Sequence, residues 1–334
     1  MPGRPTLSKV RTRGLPEPSE QEFTVAVDSR LCTQPTGIGR YVRSLLPELI
    51  ADGSGAIVET HRPRRVDVFH APSLQSALLR SPVPMVVTLH DLTPLKRRGE
   101  FLRTGLSLRL HYLAAQRAVR IIVPTEAVAA DAVEHLRFER SRISVIGEAA
   151  AAVFTPRSAD QVARVRERHG LPERYLLWVG SLERPEPRKR VVGLADAPRR
   201  LPLVLVGRAG RWARQLPDVQ LTGEVSDDDL AAIYSGAHSL VFPSEDEGFG
   251  LPLVEALACG TPVVACDLPV LREVHGDRVS FVDPGDLAGL IAAGEAATRP
   301  APILMPWSWT DVARATWQVY REAATASGGA TTPS

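Results

Sequence analysis

The sequence is short of cysteine, of lysine, of aromatic residues and of long apolar runs, and each shortage excludes something. Its 334 residues include three cysteines, Cys32, Cys259 and Cys266. They form no CxxC pair, which argues against a disulfide framework or a cysteine zinc site and fits a reducing cytoplasm. No stretch approaches the roughly 18 apolar residues of a membrane span. The basic segment 1–22 lacks an apolar h-region and does not read as a secretory signal. Its Pro, Arg and Glu content is that of a disordered lead-in. Apolar residues at 44% and charged residues at 23% still describe an ordinary soluble chain. The length fits two domains of roughly 150 residues.

Charge divides unevenly. Residues 1–150 hold 21 Lys+Arg and 15 Asp+Glu, leaving 19 and 23 for the remainder of the totals of 40 and 38. The cations are almost all arginine; the lysines are Lys9, Lys96 and Lys189. A basic first half fits either a solvated face or an anionic partner.

Short β-branched runs at 23–27, 66–70, 85–90, 121–125 and 143–147 predict strands in the first half. Helical spacing covers 40–50 and 100–120. In the second half a polar helix at 160–169 precedes strand patterns at 175–180, 203–207, 219–223, 239–243, 261–266 and 279–283. Ser226 is placed to cap the next helix, with Asp227, Asp228 and Asp229 at its positive end. Strands alternating with helices predict parallel sheets covered on both faces. The expected organisation is two Rossmann-like domains, 23–155 and 156–308, then a helix at 309–325 and a flexible tail at 326–334.

The most informative stretch is SEDEGFGLPLVEALACGTPVV. A strand delivers the polar loop 244–250, Pro252 suits the first turn of a helix, and Gly260 ends that helix. Glu247 lies on the loop and Glu255 early on the helix. Gly248 and Gly250 permit close approach of backbone to a ligand, and the free N–H groups of the helix start favour a phosphate. Open α/β sheets bind ligands at such carboxyl-end loops.

These residues resemble the signature of the family-4 retaining glycosyltransferases of the GT-B fold, whose two glutamates stand in an EGFGLPxxEAxAxGxPVV context. The resemblance implies that Glu247 faces the donor sugar and Glu255 the ribose hydroxyls, with Phe249, Gly250 and Leu251 near the sugar and diphosphate. YLLWVGSLERPEPRKR resembles the family's VGxLEPRKN segment, which assigns Arg188 and Lys189 to the donor diphosphate. Arg184, Pro185 and Glu186 look inserted there, and Arg190 replaces the usual Asn. LVLVGRAGRW and LTGEVSDDDL resemble weaker donor-side segments, implicating Gly207, Arg208 and Val225. PTGIGRYVRSLL resembles the family's N-terminal cleft loop and singles out Gly37 and Gly39. VVTLHD resembles the strand whose His lies beside the transferred sugar, which singles out His90 and Asp91. IIVPTEAV, with Thr125, reads as structural. Trp309 matches the start of the helix that crosses back to the first domain. The first domain looks abbreviated: only about sixteen residues separate Leu49 from Val66. Gly147-Glu148 replaces the family's Asn-Gly.

The resemblance implies transfer of a hexose from a nucleotide sugar, GDP-mannose first and UDP-glucose or a related UDP-hexose second, with retention by front-face attack. A charge-stabilising site of this kind needs no metal when Arg188 and Lys189 meet the diphosphate. The Asp227 to Asp229 run is better explained as a helix start than as a metal site. No cofactor and no nucleic acid is expected. The acceptor class is a glycan, a lipid-linked glycan or a small metabolite. Lys96, Arg97, Arg98, Arg103, Arg109, Arg117 and Arg120 accompany Leu102, Leu106, Leu110, Leu113 and Tyr112. That pattern fits a core helix with a basic edge and also a peripheral contact with an anionic inner membrane face. A degenerate, non-catalytic GT-B protein and a sugar-nucleotide epimerase are the alternative readings.

Overall fold

The computed structural model describes residues 22–34, 36–96, 106–299 and 306–328. The lead-in expected at 1–22, apart from its last residue, falls outside them, as do 329–334 of the expected tail. The first sheet holds β1 (Thr24–Val27), β2 (Ala56–Glu59), β3 (Val68–Ala71), β4 (Met85–Thr88), β5 (Arg120–Val123) and β6 (Ile143–Val145). Its order is β2-β1-β3-β4-β5-β6. The second holds β7 (Leu176–Val179), β8 (Leu203–Val206), β9 (Val219–Gly223), β10 (Ser239–Phe242), β11 (Val263–Cys266) and β12 (Ser280–Val282). Its order is β12-β11-β10-β7-β8-β9. The pairings within both sheets are parallel.

Helices follow the strands. In the first half they are α1 (Gly37–Asp52), the single turn α2 (Thr93–Lys96), α3 (Leu106–Ala115) and α4 (Glu126–Leu136). The second half contains α5 (Ala159–His169), α6 (Val191–Asp196), α7 (Asp227–Gly236), α8 (Leu251–Ala258), α9 (Pro269–His275) and α10 (Leu287–Ala296), and α11 (Trp309–Gly328) follows. Of the helix expected at 100–120, residues 100–105 lie outside the described residues, and the helix ends at Ala115, short of 120, because the chain turns there and Arg120 already opens β5. The last helix runs past the expected end at 325.

Helices on both faces explain why β3, β4, β7, β8, β10 and β11 are buried at every residue. Such strands read as unbroken apolar runs. The fold is GT-B, with two such α/β units facing each other. Sequence patterning missed β2, an edge strand with half-exposed and exposed positions only. The stretch between Leu49 and Val66 is short because it holds this strand but no helix after it. The strand is there, and residues 60–67 return to β3 with no helix between.

α1 starts where the Thr36 side chain accepts a hydrogen bond from the Gly39 N–H at 3.1 Å. It buries Tyr41, Val42, Leu45, Leu46 and Leu49. Against that stripe lie Val312, Ala313, Trp317 and Tyr320 of α11. The Trp317 Nε1–H donates to the Leu49 carbonyl at 3.1 Å, one of the four that a helix end leaves free. The C-terminal helix therefore packs on the first half. Ser226 caps α7 as its position predicts, accepting from the Asp229 N–H at 3.1 Å.

Candidate active site

The loops at the carboxyl ends of β1, β4, β6, β7, β8, β9 and β10 line one cleft of about 770 Å³. That is ample for a nucleotide sugar by the usual size of ligand sites. Gly37, His90, Asp91, Arg188, Lys189, Arg208, Val225, Glu247, Phe249, Gly250, Leu251 and Glu255 all line it, as does Gly207. Gly39 does not line it. It lies buried beneath the turn at 31–34, where a Cβ would fall 2.1 Å from the Gln34 carbonyl oxygen. Its role is to let α1 begin under that turn. A smaller hollow of about 340 Å³ among Pro262, Asp277, Arg278 and Ala297 holds none of these residues.

Arg188 and Lys189, the pair expected to act as a diphosphate clamp, sit on a single turn, Pro187–Lys189, after β7. Arg188 donates to the Asp246 carbonyl at 2.9 Å and lies 3.6 Å from Glu247 Oε2 and 3.7 Å from Asp91 Oδ2. It thus joins three loops from both halves. Burial works against its charge, but Glu247, Asp91 and Glu186 more than offset this and raise its pKa. Lys189 Nζ donates to Glu186 Oε1 at 2.7 Å, and Arg188 meets the same carboxylate at 3.1 Å. Glu186, one of the three residues that look inserted, therefore pairs with both cations. Arg190 takes φ 49°, the left-handed region that Asn tolerates better than Arg. Contacts to the Pro284 carbonyl and, at 3.3 Å, to Glu245 anchor it there.

Glu247 accepts from the Ser244 hydroxyl at 2.8 Å. Burial raises its pKa, with Arg188, Ser244 and Lys189 holding it back. Glu255 is buried and accepts from the Tyr234 hydroxyl at 3.0 Å. Arg40, from the TGIGRY segment, crosses the cleft to pair with Glu255 and, at 2.7 Å, with Asp227. Burial raises the Glu255 pKa and the Arg40 charge opposes that rise. Sequence reasoning passed over Arg40, although it lies beside the glycines it did choose.

The two halves touch closely at one glycine. A Cβ on Gly248 would lie 1.7 Å from the His90 carbonyl oxygen. The Thr125 hydroxyl, read as structural, donates to the Gly248 carbonyl at 3.1 Å. His90 itself meets Glu148, a buried cleft residue noticed in the sequence only as a departure.

The proposed basic membrane face is partly occupied from within. Lys96 pairs with Asp131 and Asp246, each at 2.7 Å, and Arg120 with Glu322 at 3.4 Å. Tyr112 is buried. Leu110, Leu113 and Arg117 are exposed. Arg97, Arg98, Leu102 and Arg103 lie outside the described residues. Among the described residues, no helix is long and apolar enough to cross a membrane.

Two family profiles match the chain: "Glycosyltransferase Family 4" over residues 54–149 and "Glycosyl transferases group 1" over 173–297. The chain is 29% identical over 254 residues to the O-antigen chain mannosyltransferase B of Escherichia coli, covering 67% of this chain and 63% of that one. It is 33% identical over 269 residues to the D-inositol 3-phosphate glycosyltransferase of Mycolicibacterium smegmatis, covering 70% and 60%. The matches thus span less than two thirds of these relatives' own length. The crystal structure of Anabaena HepE with UDP and glucose superposes with a TM-score of 0.63 at 16% identity, over 92% of this chain and 100% of that one.

Proposed function

The chain belongs to the group 1, family 4 glycosyltransferases, and from that premise we propose that it transfers a hexose from a nucleotide sugar to an acceptor hydroxyl with retention. The observation that carries this reading is the convergence of Glu247, Glu255, Arg188 and Lys189 on one cleft, under the start of α8. In this reading Glu255 takes the ribose hydroxyls and Glu247 the donor sugar. The diphosphate lies between the clamp and the first N–H groups of α8, where backbone dipoles favour an anion.

In the step itself the bond from the anomeric carbon to the diphosphate oxygen breaks. The acceptor oxygen bonds to that carbon from the same side, and its proton passes to the diphosphate. Charge accumulates on the leaving group, so cations aimed there lower the barrier. Arg188 and Lys189 fill that role without a metal ion, and Glu186 leaves the clamp as the donor arrives. The mannosyltransferase relative favours GDP-mannose as donor, and the HepE neighbour keeps UDP-glucose as the second choice. The acceptor is a glycan, a lipid-linked glycan or a small metabolite. Exposed Leu110 and Leu113 beside exposed Arg117 support peripheral contact with an anionic membrane, read by salt-reversible cosedimentation with anionic vesicles.

The test is a donor panel read by nucleoside diphosphate release with and without acceptor. Acceptor-dependent release is expected with one donor. Glu247→Ala should keep nucleotide binding and lower turnover at least about tenfold, or roughly 1.4 kcal/mol of barrier. Release from no donor, with nucleotide still bound, would leave a binding protein instead.

A further inference from the structure

His90 has an acceptor at each ring nitrogen. Nδ1 lies 2.8 Å from Glu148 Oε1 and Nε2 lies 2.9 Å from the Pro72 carbonyl oxygen. A carbonyl only accepts, so Nε2 carries a proton. A carboxylate at Nδ1 calls for a second proton, and the ring is then an imidazolium. Glu148 is held in turn: its own carbonyl accepts from the Trp307 Nε1–H at 3.0 Å. It lies just past β6, where the chain leaves the first sheet for the second half. On its other side, the His90 carbonyl abuts Gly248, next to Glu247. The contacts therefore run without a break from the crossover, through Glu148 and His90, to the loop that carries Glu247.

We propose that Glu148 is a positioning residue for sugar transfer, which holds the His90 ring as an imidazolium in one orientation and so fixes the His90–Asp91 turn against the Gly248 loop. This rests on the transferase reading of the cleft. The other groups around the ring are consistent with it. The Tyr41 ring of α1 stands edge-on at 4.6 Å, and its hydroxyl stays neutral because burial drives its pKa up. His70 of β3 is also neutral, since burial lowers its pKa to about 3. Asp91, on the same turn as His90, adds a second negative charge and is met at 3.7 Å by Arg188 from the second half. Burial opposes the His90 charge, but Glu148, Pro72 and Asp91 raise its pKa above the ordinary histidine value.

Glu148→Gln keeps the size and removes the charge; Glu148→Asp keeps the charge. Histidine ring NMR on the ligand-free protein, assigned with a His90 variant, reads the His90 titration. It should fall by at least about one pH unit in Glu148→Gln and much less in Glu148→Asp. In kcat/KM against pH, the alkaline limb should move down by the same amount in Glu148→Gln. At pH 8 that variant should lose activity about tenfold more than at pH 6, with Glu148→Asp restoring the limb. A purely structural role would lower activity evenly across pH. An unchanged His90 titration in Glu148→Gln, or an unmoved limb, overturns the proposal. The NMR readout needs no substrate, so it decides the role of Glu148 even if no donor is turned over.

Discussion

The two sheets bury parallel strands between helices in the same way but are wired differently. Counting each sheet's strands from one to six, the second runs 3-2-1-4-5-6 and the first 2-1-3-4-5-6. The second order is that of the doubly wound dinucleotide fold, whose ligands lie where the order reverses. Its core closes on its own helices. The first half lacks a helix between β2 and β3, and part of its cover is α11 from the far end of the chain. The site follows the same division. The second half presents Arg188, Lys189, Glu247 and Glu255 on a single turn, a loop and a helix that follow its own strands. The first half's contribution depends on partners far away in sequence: His90 on Glu148, and Arg40 on Glu255.

Four measurements bear on that contrast. The largest effect is expected from Trp317→Ala, which empties a fully buried site between α11 and α1. It should cost about 3–5 kcal/mol in denaturant melts, as large aromatic truncations do. Nucleotide binding by the folded fraction should change little, because the proposed diphosphate pair, Arg188 and Lys189, belongs to the other half. Equal loss of both would make the halves one cooperative unit.

Lys189→Ala should weaken nucleoside diphosphate by about 1.5–3 kcal/mol, the range of a hydrogen bond to a charged group. Free nucleoside should be weakened far less in the same calorimetric titration. Equal weakening would move the clamp to Arg184 or Arg208.

Each half also buries one neutral histidine. Burial pushes His70 down to about 3 and His275 to about 4. For a base with a lowered folded pKa, stability is fully present above the ordinary value of about 6.5 and is lost as pH falls below it. Melts between pH 6.5 and 5 should show a slope of roughly 1.4 kcal/mol per pH unit from each group. His70→Gln should remove the first half's share. His90 has the opposite sign: its raised pKa gives stability that is complete below about 6.5 and fades as pH climbs past its folded value.

The smallest effect belongs to Lys96, which ties Asp131 of the first half to Asp246 of the second. Lys96→Ala should cost about 0.2–1 kcal/mol, typical of accessible ion pairs, and the difference should shrink in high salt.

The same contrast explains what could be read from the sequence. Central strands announced themselves because burial on both faces makes them continuously apolar. β2, half exposed at an edge, has no such run. The EGFGLP segment was legible because its glutamates, its glycines and the proline of its helix start are neighbours in the chain. Gly39 was chosen with Gly37 for the cleft, but its backbone is needed under the 31–34 turn instead. Glu148 and Glu186 were visible only as departures from a pattern, since their partners are set by folding. Arg40 stood inside the quoted PTGIGRYVRSLL segment, but its partner could not be read there, because its reach to Glu255 spans 215 positions.

The ion pairs of the cleft have a consequence for how a donor would enter. Arg188 and Lys189 share Glu186, Arg40 holds Glu255 and Asp227, and Arg208 meets Glu183 at 3.1 Å. These cations are already neutralised by the protein's own carboxylates. An arriving diphosphate therefore takes the place of an internal counterion and does not fill an open positive field. In the proposed reading binding becomes an exchange of partners, with Glu186 released to water while Glu255 stays buried for the ribose. Few salt ions are displaced in such an exchange, so donor affinity should depend only shallowly on ionic strength, even though arginine and lysine dominate the contacts.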